Sequence, residues 1–115
     1  RFDGLIREEK GIIEIKCPFT LEKHLQHLMY ESQEQLRENE EEYYWQCVAN
    51  MLFTDTEFCD FVSYCPYVSK SKQIKILRVY YDEADMNLLK ERISLAVQYM
   101  KDRITIIKNV QNIIK

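Results

Sequence analysis

The stretch Gly11-Ile12-Ile13-Glu14-Ile15-Lys16-Cys17-Pro18-Phe19 decides how this chain is read, because it sets two charges inside what is otherwise an apolar β-strand. In a strand, residues two apart share a face, so Glu14 and Lys16 lie together while Ile13, Ile15 and Cys17 face the other way. A buried ion pair is rarely more stable than a well-packed apolar replacement, so E-x-K in a core strand is an odd choice for stability alone. A solvated face of an antiparallel sheet is the plain alternative.

Working outward, Arg1–Ile6 is a second β-rich run, joined to the first by the polar Arg7–Lys10, which is the pattern of a hairpin. Asp3 then stands on the strand beside Glu14. Two carboxylates from adjacent strands suit a hard divalent cation, which completes its shell with water, a backbone carbonyl and phosphate oxygens. Lys16 adds a point charge for a phosphate or an attacking water. Together these residue types make a kit for phosphodiester hydrolysis.

Beyond Lys16, Pro18 ends the strand and Thr20 caps a helix over residues 21–30, in which Leu21, Leu25 and Leu28 mark the apolar stripe. Residues 31–42 hold six Glu and a single Leu, which reads as an exposed loop or frayed helix end. The run 43–53 is apolar nearly all round, as expected of a buried helix. Residues 58–66 and 73–82 alternate as strands, and residues 83–114 repeat apolar side chains every three or four positions, as one long helix or two short ones. The expected order is β-β-α-α-β-β-α, an α/β fold in one domain spanning residues 1–115.

Composition narrows the function. With 115 residues, 46% of them hydrophobic, the chain supports one core. Net charge is -3, but residues 1–69 carry 6 basic and 14 acidic side chains, whereas residues 70–115 carry 10 and 5. An acidic part beside a basic one fits a metal site next to a phosphate-binding surface, though solubility alone yields the same pattern. Lys70, Lys72, Lys75 and Arg78 form an acid-free run that is a candidate for DNA phosphates. The cysteines, at 17, 47, 59 and 65, make no CxxC pair, which argues against structural zinc; Cys17, Cys47 and Cys59 read as small hydrophobes of a reducing compartment. His24 and His27 are three apart on a helix but lack a carboxylate at fitting spacing, so they read as exposed or interface residues. Nothing is long and apolar enough to span a membrane.

The pattern D-(x)10-E-x-K resembles the PD-(D/E)XK nuclease superfamily. With its flanks, "FDGLI…GIIEIKCPFT", it resembles the phage lambda exonuclease (YqaJ-type viral recombinase) family in particular. Tyr43-Tyr44-Trp45-Gln46 and Phe61-Val62-Ser63-Tyr64-Cys65-Pro66 match later elements of the same family, so the likeness runs through nearly the whole chain. The resemblance implies a PD-(D/E)XK core with a central mixed β-sheet flanked by helices, of which this chain is the C-terminal part, the upstream helices lying outside it. It implies Asp3, Glu14 and the Ile15 carbonyl as metal ligands, Lys16 as the catalytic lysine, Gln46 in the active site and Tyr43 as a DNA contact. It implies magnesium, two ions per site, with manganese as a substitute. The implied activity is 5′-to-3′ digestion of double-stranded DNA ends, leaving 3′ single strands for phage-type recombination. A homotrimeric ring, a single-strand-annealing partner protein and the cytoplasm of a bacterial host, with a phage or prophage gene, belong to the same expectation. Phe2 replaces the proline that names the superfamily pattern, and the acidic residue on an upstream helix is outside this sequence. An endonuclease of the same superfamily, or a silent DNA-binding or assembly module, is the alternative.

Overall fold

The computed structural model describes residues 4–6 and 10–114. Asp3 and the start of the hairpin loop lie outside the described residues. The chain divides into two units, residues 1–82 and residues 83–115.

The first unit is built on a mixed four-stranded sheet in the order β1-β2-β3-β4. β1 (Gly4–Ile6) pairs antiparallel with β2 (Gly11–Lys16), as the hairpin reading requires. β2 runs parallel to β3 (Phe58–Tyr64), and β3 runs antiparallel to β4 (Ile74–Tyr80). Parallel neighbours need a long crossover. Here it contains α1 (Leu21–Leu28), α2 (Gln33–Asn39) and α3 (Glu41–Thr54).

Register sorts the side chains. Ile12, Glu14 and Lys16 of β2 stand in rows with Cys59, Phe61 and Ser63 of β3 and with Val79, Leu77 and Lys75 of β4. Ile12, Glu14, Cys59, Phe61, Ser63, Leu77 and Val79 are all buried. The charged face of β2 is therefore covered, and the solvated-face alternative fails. On the other face Ile15, Ile74 and Ile76 are exposed.

Two sequence expectations are corrected within the crossover. Residues 33–39, read as loop or frayed end, form α2: Ser32 Oγ accepts from Gln35 N at 3.4 Å and Gln35 Oε1 accepts from Glu31 N at 2.6 Å, a local cap that charge counting overlooks. Its single leucine, Leu36, is fully buried, and Gln33 Oε1 accepts from Tyr80 N to hold the helix on β4. In α1, capped by Thr20 as expected, Leu21 and Leu25 are about half exposed while His24 and His27 are fully buried. The polar pair, not the leucine stripe, faces the sheet. Its partners there explain the inversion.

A carbonyl can only accept, so His24 Nε2–H donates to the Lys72 carbonyl at 2.8 Å. The Ser63 hydroxyl bridges the two rings, 2.9 Å from His24 Nδ1 and 2.8 Å from His27 Nδ1. Each hydrogen bond inside this network offsets the cost of burying its polar ends. His27 Nε2 is left 3.3 Å from Glu40 Oε1 without a hydrogen bond.

Of the cysteines, Cys47, Cys59 and Cys65 are buried and Cys17 is exposed, so Cys65 takes the place expected for Cys17 as a core residue. A hydrogen bond with Cys47, then burial, pushes the Cys59 thiol up. The second unit is one continuous helix, α4 (Glu83–Ile114), 32 residues and about 48 Å long. No helix among the described residues is long and apolar enough to cross a membrane.

Candidate active site

Glu14 is only 7% exposed, yet both of its carboxylate oxygens have partners. Lys16 Nζ lies 3.2 Å from Oε1, and Asn50 Nδ2 donates to Oε2 at 3.2 Å. A buried carboxylate left unpaired would cost several kcal/mol, so the two donors are what make its position tenable. Lys16 comes from two residues along the same strand face; Asn50 comes from α3, which packs against β2 and β3. The charge pair thus depends on the parallel crossover that brings α3 over the strand.

Lys16 retains access to solvent, with about a quarter of its side chain exposed. Its ammonium sits 5.1 Å from the centroid of the Tyr43 ring, within cation–π range. Tyr43 is itself held by stacking on Phe61 at 5.6 Å and by an edge contact with His27 at 6.0 Å. The buried histidine network therefore abuts the wall that the lysine leans on.

Glu14, Ile15 and Lys16 form one side of an open cavity of about 460 Å³, and Gln46, Ala49, Asn50 and Phe53 of α3 form the other. Gln46, Asn50 and Phe53 follow i, i+4, i+7 spacing, so they make one stripe of the helix. The structure brings together Glu14, Ile15, Lys16 and Gln46. Asn50 and Phe53 were not anticipated; the available signal was an asparagine four residues after Gln46 within an otherwise apolar run.

The donor set, one carboxylate beside a main-chain carbonyl, is the oxygen chemistry a hard divalent cation takes. Among the described residues no three His, Cys, Asp or Glu side chains cluster around a metal position, and Asp3 lies outside them. The described residues thus fit part of a cation's shell.

The four basic candidates separate. Lys70 and Lys72 are exposed on a short 3-10 turn (Lys70–Lys72). Lys75 and Arg78 point to opposite faces of β4. Arg78 makes a bidentate pair with Asp60 at 2.8 and 3.0 Å and stacks 3.8 Å over Phe58.

Comparison with known proteins agrees with this architecture. Residues 1–57 match the YqaJ-like viral recombinase domain. The fold superposes on an alkaline exonuclease from Laribacter hongkongensis with a TM-score of 0.77 and 25% identity, over 93% of this chain and 52% of that one. The same enzyme solved in complex with dAMP gives 0.76 and 24%, over 92% and 51%. A phage related exonuclease from Haemophilus somnus gives 0.65 and 20%, over 87% and 53%. The chain spans about half the length of these solved structures. No curated protein matches it.

Proposed function

We propose that this chain, whose residues 1–57 match the YqaJ-like viral recombinase domain, carries the catalytic half of a metal-dependent deoxyribonuclease that digests duplex DNA from its ends, 5′ to 3′, leaving a 3′ single strand. The observation that carries this reading is Glu14, buried and gripped by Lys16 and Asn50 at the edge of an open cavity. Structural proteins gain little from such a pair.

Each residue has a task in that reaction. Lys16 Nζ donates to a phosphate oxygen or to the attacking water and offsets the negative charge that grows in the transition state. Preorganised donors of this kind are worth on the order of 10²- to 10³-fold in rate. Tyr43 limits the directions the ammonium can take. Gln46, exposed one turn before Asn50, offers an amide to orient the water or a phosphate oxygen. Asn50 fixes the rotation of the Glu14 carboxylate. Magnesium, or manganese in its place, held by Glu14, Asp3 and the Ile15 carbonyl, would supply Lewis-acid polarisation of the phosphate and a more acidic water, with a second ion assisting the leaving oxygen. A trimeric ring around the duplex, an annealing-protein partner and work in the bacterial cytoplasm follow from the family resemblance and complete the proposal.

The test compares linear, 5′-phosphorylated duplex with covalently closed circular DNA, with magnesium or with EDTA, in the parent and in Lys16→Ala. Nucleotide release from the linear substrate alone, abolished by EDTA and by Lys16→Ala, is the expected result. Nicking of the circle would replace the end-dependent reading with an endonuclease. Absence of cleavage by the protein containing this chain would leave a binding or assembly module.

A further inference from the structure

We propose that the groove at the carboxyl ends of β2 and β3 binds unpaired bases of single-stranded DNA, with Phe19 and Tyr67 as its two stacking surfaces. The inference rests on the nuclease reading only for the choice of DNA as the nucleic acid.

The two central strands run parallel, and each leaves the sheet through the same three-residue exit: Cys17-Pro18-Phe19 after β2 and Cys65-Pro66-Tyr67 after β3. Proline cannot donate to a ladder, so both strands turn off just beyond the end of their shared parallel ladder at Lys16 and Ser63. The aromatic residues that follow line a groove of about 310 Å³ together with the two Cys-Pro pairs and Tyr64. Phe19 is fully exposed and Tyr67 is 90% exposed. Among the described residues neither ring pairs with another aromatic. Two large rings held in water at one strand end bring the core nothing; they offer flat apolar faces to a ligand.

Charge says which ligand. Residues 15–21 and 61–81 contain no Asp or Glu, in a chain whose net charge is -3. Lys70 and Lys72 stand exposed on the loop that follows Tyr67. That loop is tied down: Gln73 Nε2 donates to the Pro66 and Val68 carbonyls at 3.3 and 3.1 Å, Cys65 N donates to the Gln73 carbonyl at 2.9 Å, and His24 Nε2 donates to the Lys72 carbonyl at 2.8 Å. Little ordering cost remains to be met on binding. Exposed rings with ammonium groups beside them are the means by which proteins hold single strands, stacking on bases and neutralising phosphates. A duplex keeps its base faces inside its own stack, so the rings select an unpaired strand. Phe19 is three residues beyond Lys16, at most about 11 Å along the chain, so a strand whose phosphate reaches Lys16 brings its neighbouring bases to the groove.

The test is fluorescence of a single-stranded oligonucleotide containing 2-aminopurine, titrated with the protein in EDTA, where hydrolysis does not interfere. Stacking quenches the fluorophore. The double substitution Phe19→Ala with Tyr67→Ala is expected to abolish quenching and to weaken binding on the order of tenfold for each ring removed, whereas Phe19→Tyr with Tyr67→Phe keeps both. Both rings are exposed, and an unchanged circular dichroism spectrum verifies the fold. Loss of quenching in the alanine pair with no hydrolysis by the parent would sink the nuclease reading and leave this one standing. Parent-like quenching and affinity in the alanine pair would overturn the groove. So would unchanged oligonucleotide binding with an altered molecular mass, which would assign the rings to contact between protein chains.

Discussion

Asn50 Nδ2 reaches from α3 to Glu14 Oε2 at 3.2 Å, while Lys16 takes Oε1 of the same carboxylate. The amide is buried, and a hydrogen bond to a charged group is worth about 1.5–3 kcal/mol. Asn50→Leu therefore leaves one oxygen of a buried carboxylate without its donor and frees the carboxylate to rotate. Turnover on linear DNA should fall roughly 10- to 100-fold, with a loss of about 1.5–3 kcal/mol in urea unfolding. A parent-like turnover would mean that Lys16 alone holds Glu14 in place.

Tyr43 separates two roles by a single oxygen. Its ring face lies 5.1 Å from Lys16 Nζ, and its other contacts, with Phe61 and His27, are also made by the ring. If the ring is what matters, Tyr43→Phe keeps activity and Tyr43→Leu lowers turnover roughly 2- to 30-fold, the value of a cation–π contact of about 0.5–2 kcal/mol. If Tyr43 is a DNA contact, as the resemblance implies, and makes it through the hydroxyl, the phenylalanine variant should be as poor as the leucine one and its KM should rise. Steady-state kinetics of the two variants decides.

The hairpin, the proline stop after Lys16, the Thr20 cap and the strands on either side of the basic turn were legible because each depends on residues within a few positions of one another. Why Glu14 is buried beside Lys16 depends on the crossover, since Asn50 of α3 reaches the strand from a distant part of the chain. The inversion of α1 had the same origin. Leucine spacing is a local pattern, but His24 and His27 turn inward because Ser63 and the Lys72 carbonyl wait on the far side of the crossover. The 33–39 segment was misread because its composition argued for solvent, while one leucine and a glutamine cap suffice for a two-turn helix packed on α3. Asn50 and Asp60 each sit as a polar side chain in an apolar run, and their partners are set at a distance, Glu14 by the crossover that packs α3 on β2 and Arg78 by the register of β3 with β4.

Gly11 pairs with Phe58 across the parallel ladder, and the Phe58 ring occupies the space a side chain at position 11 would need. That ring is buried, with the Arg78 guanidinium over its face, so it has little room to yield. Gly11→Ala should destabilise the protein by about 1–3 kcal/mol, as overpacking does. Adding Phe58→Leu should restore part of that loss, a coupling that a double-mutant cycle in urea measures. Additive losses would show that the glycine serves the hairpin turn instead of the close approach.

Burial lowers the pKa of His27 from its ordinary 6.5, with Glu40 opposing the shift and Lys23 and His24 adding to it. Burial, then Glu40, pushes the Tyr30 hydroxyl up to about 12, so Tyr30 stays protonated and donates to Glu40 Oε1 at 3.2 Å, where Lys23 Nζ also lies at 2.6 Å. The sign follows from proton counting. Below pH 6.5 the unfolded chain protonates His27 and the folded chain, with its lower pKa, does not, so stability is full above 6.5 and declines as the pH falls toward the folded value. Unfolding free energy from urea titrations should therefore drop between pH 7.5 and 5.5. His27→Gln should flatten that slope, though at lower stability throughout because the Ser63 bond is weakened, and Glu40→Gln should steepen it by removing the charge that favours the imidazolium. A parent curve that is flat over this interval would mean that Glu40 balances burial, and one that rises toward low pH would mean that Glu40 outweighs it and holds His27 charged inside the fold.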